Sequence, residues 1–232
     1  MKTAVVCASI IGLLATVVQA QNENISWQTP MTITTSGTSD VNTQGIYFGS
    51  WAPHGSTLTV NGVTFQAFSD LPGLGSTFDN STGPGSYASP NTLDANYNTL
   101  LTAGAFGNND TSYSFNWDGM TPGDTYLVEL WVNDGRNSTV NQRTETFTGG
   151  ANTSAFLDYG SGNSGPGQFI TGTFLADSSG AETITLTPGA AFPSPQLNLF
   201  EVRDITSVPE PSTLAMLGSG VLTLVYCIRR KA

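Results

Sequence analysis

A period of two runs through this chain and restricts it to β structure. In Thr57-Leu58-Thr59-Val60-Asn61-Gly62-Val63-Thr64-Phe65, Leu58 and Val60 alternate with threonine, and Val63 and Phe65 resume the pattern after Asn61-Gly62. Asn-Gly accepts the positive φ angles of a two-residue type I′ turn, so this segment is predicted to be a hairpin. Residues 112–117 alternate in the same way, with Tyr113, Phe115 and Trp117 on one face and Ser112, Ser114 and Asn116 on the other. Residues 126–132 are apolar on nearly both faces, which predicts a strand at the centre of a sheet. Residues 144–147, 154–159, 169–175, 183–187 and 197–202 read as further strands, with Thr121-Pro122-Gly123-Asp124 and Asn133-Asp134-Gly135 as turns. One segment breaks the pattern. Tyr97, Leu100 and Leu101 fall at helical spacing behind Asp94, a natural N-cap, and Gly104 is the expected stop. Residues 79–90, rich in Gly, Ser and Pro, read as a long loop. About ten short strands separated by turns predict a jelly-roll-like β-sandwich with one short helix, its sheets antiparallel.

The ends have a different composition. Lys2 precedes an apolar stretch that closes on Val18-Gln19-Ala20, the pattern of a secretory signal with cleavage between Ala20 and Gln21. At the other end, Val208-Pro209-Glu210-Pro211-Ser212-Thr213 leads into an apolar run over 214–228, closed by Arg229-Arg230-Lys231. Fifteen residues in a helix span about 22 Å, short of a hydrocarbon core of about 30 Å, so this run suits temporary residence in a bilayer. Pro209 and Pro211 give it a sharp start. The basic cluster is expected to stay cytoplasmic, with everything before it outside. Three parts are thus expected: a signal peptide over 1–20, an exported domain over 21–207, and a tail over 208–232.

Pro-Glu-Pro, hydrophobic helix and basic end together resemble the PEP-CTERM sorting signal of Gram-negative bacteria that make extracellular polysaccharide. The resemblance implies processing by an exosortase-type membrane protease near Pro209-Glu210-Pro211. It also implies a transient inner-membrane stage and delivery to the cell surface or matrix. It covers the tail alone. More softly, the stretch from Thr121 to Arg136 and the closing stretch from Gln196 to Asp204 resemble galactose-binding-like sandwiches.

Between its ends the chain carries Arg136, Arg143 and Arg203, no lysine, and sixteen acidic residues, a net charge of −13. No basic patch is available to neutralise phosphates, so nucleic acid is excluded as a partner. Cys7 and Cys227 both lie in the terminal segments, leaving the exported domain without a disulfide or a thiolate metal site. His54 is the single histidine, and no nucleophile elbow, HExxH or phosphate-cradling loop occurs. A non-catalytic domain is therefore expected, without a cofactor. A structural calcium ion is compatible with the loop carboxylates Asp40, Asp70, Asp118, Asp124, Asp134, Asp158 and Asp204, although none has EF-hand spacing.

Sugars offer apolar ring faces and many hydroxyls, so their sites combine aromatic platforms with polar groups. Trp27, Trp51, Tyr87, Trp131 and Tyr159 are candidate platforms, and Asn133, Asp134, Arg136 and Asp158 candidate polar contacts. Arg136 and Arg143 also suit structural ion pairs with Asp134, Glu145 or Asp158. A polysaccharide-binding or adhesive module is the leading expectation. A secreted carbohydrate-active enzyme using two carboxylates is the rival.

Overall fold

The hairpin forms where the alternation places it, with Asn61 at φ 50° and Gly62 at φ 78°. A computed structural model describes residues 23–53, 57–67, 75–76, 80–87, 89–107, 112–136, 143–160, 165–190 and 194–206. In chain order the strands begin with β1 (Ser26–Trp27), β2 (Met31–Thr32), β3 (Ile46–Ala52), β4 (Leu58–Val60), β5 (Val63–Ala67), β6 (Gly75–Ser76) and β7 (Asn80–Thr82). Helix α1 (Ala95–Leu101) follows. The remaining strands are β8 (Gly104–Phe106), β9 (Tyr113–Trp117), β10 (Thr125–Val132), β11 (Thr144–Gly149), β12 (Asn152–Thr153), β13 (Leu157–Asp158), β14 (Gln168–Leu175), β15 (Glu182–Pro188), β16 (Gln196–Leu197) and β17 (Leu199–Asp204). The signal segment, His54, Asp70, the hydrophobic run 214–228 and the tail lie outside the described residues. Among those described, no helix is long and apolar enough to cross a membrane.

Two sheets make the sandwich. The larger has the order β1-β14-β10-β17-β3-β5-β4, with β2 also on β14, and the smaller β12-β11-β15-β9-β6, with β13 also on β11. A third, short sheet β16-β8-β7 closes one side. Among the described residues every pairing is antiparallel except β3 with β5, which run parallel at Trp51↔Gln66 and Ala52↔Ala67. That pair departs from the all-antiparallel expectation. The hairpin turn reverses the chain from β4 into β5, which lies beside β3 in the same direction, and helix α1 packs against β4.

Strand β10 is apolar on both faces because both are covered. Val128, Leu130 and Val132 meet Phe115, Phe147, Ile184 and Leu186 of the smaller sheet. On the opposite face Trp131 joins Phe65, Phe169, Leu199 and the helix residues Tyr97, Leu100 and Leu101. The helix is capped as expected, Asp94 Oδ1 accepting from the Tyr97 N–H at 2.8 Å. It ends at Thr102, earlier than Gly104, which instead opens β8. Two other expectations shift. The segment read as a loop over 79–90 contains β7, and the strand expected over 154–159 is reduced to Leu157–Asp158.

The hairpin carries a simple prediction. A methyl group on Gly62 would meet no atom within 4 Å, so Gly62→Ala costs only the left-handed backbone. Urea denaturation of this variant is expected to show a loss of about 1 kcal/mol.

Candidate functional site

Where β10 ends, the chain turns through Asn133, Asp134 and Arg136, and the segments around Arg143, Tyr159 and Gln196 converge on it. The Asp134 carboxylate accepts two bonds from Arg136, Nε at 2.6 Å to Oδ1 and Nη2 at 2.7 Å to Oδ2. Arg143 Nη1 donates to the same Oδ2 at 2.5 Å and to Gln196 Oε1 at 3.1 Å, while its Nη2 donates to the Ser194 carbonyl at 2.8 Å. Both arginines thus form the ion pairs expected of them, and both choose Asp134. Each guanidinium also lies over an aromatic ring, Arg136 at 5.0 Å from the Tyr87 centroid and Arg143 at 4.6 Å from that of Tyr159. Behind them Glu145 accepts from Tyr159 Oη and from the Gln196 N–H. Complete burial pushes the Glu145 carboxyl up to about 8, against the opposing pull of Tyr159, Gln196 and Arg143.

The predicted contacts divide sharply. Asn133, Asp134, Arg136 and Tyr159 come together, with Asp158 beside them. Trp131 does not, because it points into the helix-side core, edge-on to Phe65 at 5.9 Å. Trp131, Asn133, Asp134 and Tyr159 are buried within the fold, so solvent reaches the cluster through Arg136, whose side chain is 56% exposed, and through half-buried Asp158. Asp158 Oδ1 accepts from the Gly160 N–H at 2.8 Å and so shapes the turn after β13. Trp51 and Tyr87 are buried too, Trp51 stacked on Phe200 at 4.3 Å, and Trp27 packs partly onto the core. Among the described residues no group of three His, Cys, Asp or Glu side chains is arranged to hold a metal ion. Asp40, for example, is spent on the Thr34 N–H and on Tyr97 Oη.

A second feature lies at the other end of the large sheet. Strands β3 and β5 pair over two residues only, and towards Tyr47 they splay, opening a cleft of about 490 Å³. Tyr47, Thr43, Asn61 and Thr64 line it, with Arg203 among them. The register of β17 against β3 jumps at this point, from Val202↔Gly49 to Arg203↔Tyr47, so Phe48 is an extra residue. This bulge sends Phe48 into the core, where it meets Tyr126 edge-on at 5.5 Å. It turns Tyr47 to the outer face, beside Arg203. Tyr47 was missed in the sequence because the irregular stretch Gly49-Ser50 and the bulge hide the alternation that would have assigned its face.

Residues 207–231 match the model of the PEP-CTERM protein-sorting motif. That motif marks an exported protein with a transient membrane-anchored stage. No curated protein sequence matches the chain. Among solved structures, it is similar to the ANXUR2 extracellular domain from Arabidopsis thaliana, at a TM-score of 0.56 and 13% identity, over 70% of this chain and 49% of that one. It is also similar to the ANX1 ectodomain from Arabidopsis thaliana, at a TM-score of 0.50 and 14% identity, over 67% of this chain and 47% of that one. The chain therefore spans about half the length of these ectodomains, and at such identities the likeness is one of fold. A family 35 carbohydrate binding module from Clostridium thermocellum shares 14% identity at a TM-score of 0.32, over 75% of this chain and 98% of that one, a similarity too distant to bear on function.

Proposed function

We propose that this chain is an envelope or matrix protein, cut by an exosortase-type protease near Pro209-Glu210-Pro211 and delivered to the cell surface, where its sandwich binds polysaccharide without transforming it. The sorting motif over 207–231 carries the reading of delivery. The acidic, thiol-free body between the two ends supports it, being suited to solubility outside the cytoplasm. Polysaccharide binding is supported by the exposed Tyr47 ring and the hydroxyl and amide groups of Thr43, Asn61 and Thr64 around it. The intact mass of the protein, taken from cells and from medium, tests the delivery. The released form is expected to lack residues 1–20 and the apolar run 214–228. A released form that keeps residues 209–232 would overturn the sorting step. Turnover of a polysaccharide by the purified protein would replace the binding reading with an enzymatic one.

A further inference from the structure

We infer that the splayed cleft between β3 and β5 is a subsite for a neutral pyranose unit, an inference that rests on the reading that this domain binds polysaccharide. The first ground is an aromatic surface that is open and yet fixed. Tyr47 is 42% exposed, but its phenol donates to the Thr64 carbonyl at 3.2 Å, accepts from the Ser50 N–H at 3.0 Å and lies 3.0 Å from Ser50 Oγ. Ser50 Oγ is in turn tied to the same Thr64 carbonyl at 2.8 Å. An exposed side chain ordinarily loses rotamer freedom when a ligand docks, and here much of that cost is met within the fold. A ring so held suits the apolar face of a pyranose.

The second ground is the chemistry of the walls. Exposed Thr43, Asn61 and Thr64 surround the ring with hydroxyl and amide groups, the partners that sugar hydroxyls need. A volume of about 490 Å³ lies within the usual range for small-ligand sites. The third ground is charge. Arg203 donates to Glu201 Oε1 at 2.6 Å and to the carbonyls of Gln44, Thr43 and Gly45, so its donors are committed within the fold. The body around it is strongly acidic. An anionic sugar would meet repulsion without a free cation to receive it, so the subsite selects a neutral one. The cleft is also remote from Arg136. Arg203 pairs with Leu127 near the start of β10 and Asp134 follows its end, about 17 Å of strand away.

Calorimetric titration of the full chain in mild detergent tests this, with cellopentaose, xylopentaose and mannopentaose as neutral probes and trigalacturonate as the acidic one. At least one neutral probe is expected to bind, and trigalacturonate to bind at least about tenfold more weakly. Tyr47→Ala is expected to weaken the neutral probe about tenfold. Tyr47→Phe keeps the ring without its tether, and a smaller loss of about threefold is expected. Phe156→Ala, which removes an exposed aromatic before β13, is expected to change nothing. Thermal melts of each variant separate lost binding from lost fold. Unchanged binding by a folded Tyr47→Ala variant overturns the subsite while leaving polysaccharide binding standing, as does preference for trigalacturonate. Failure of every probe to bind the unaltered chain overturns both.

Discussion

Replacing Asn198 with leucine is expected to destabilise the domain by about 3–5 kcal/mol, several times the effect of an ordinary substitution. Asn198 sits between β16 and β17, fully buried. Its Oδ1 accepts from the Asn133 N–H at 2.7 Å and from Gln196 Nε2 at 3.0 Å. Its Nδ2 is shared among the carbonyls of Ala103, Leu101 and Asn133, at 2.6, 3.0 and 3.1 Å. One side chain therefore joins the end of β10, the end of α1 and the start of β17. Leucine has a similar volume, so little cavity results. The loss comes from polar groups of the backbone left in the interior without this partner. Urea denaturation of Asn198→Leu measures it, and a loss under about 1 kcal/mol would show that the network contributes little.

The second large effect is a dependence on pH. Burial pushes Glu145 up to about 8, and Glu182 and Glu201 up to about 7, from an ordinary 4.5. Glu129 moves in the same direction, again chiefly through burial. A carboxyl with a raised pKa holds its proton more tightly in the folded chain than in the unfolded one. Between about 4.5 and 8 the folded state therefore binds more protons, and raising the pH through that window removes stability. The acidic body adds self-repulsion in the same sense. Among the described carboxyls, Asp177 alone is shifted downward, held by Ser179. The melting temperature is accordingly expected to be higher at pH 5.5 than at pH 8.5, by at least about 5 °C. Glu145→Gln keeps an oxygen for Tyr159 and Gln196 but cannot ionise, so it is expected to flatten much of the slope. A melting temperature that rises with pH would contradict the assignment.

Such a profile was not legible in the sequence. Glu129, Glu145, Glu182 and Glu201 stand among threonines and apolar residues as any surface acid of a half-exposed strand would. Their burial follows from which faces of the strands are covered. Register Glu129↔Glu201 places two of them side by side on the face that the helix and the hairpin cover. The same cause undid the expected platforms. Trp51, Tyr87, Trp131 and Tyr159 were chosen for their chemistry, and all four are covered.

What the sequence determined is what short-range physics decides. Asn61-Gly62 set a turn, Asp94 set a helix start, and a period of two set the strands, because each depends on neighbours within a few residues. The exported character belongs to the same class, since the sorting motif is read along the chain. The tertiary structure alone decided which polar side chains are interior, how Asp134 comes to serve two arginines, and where an aromatic ring stays open to a ligand. Arg143 and Gln196 meet across 53 positions, and Tyr47 faces outward because one extra residue entered β3 opposite β17. Pairings over such distances are fixed by the packing of whole sheets, and no local pattern contains them.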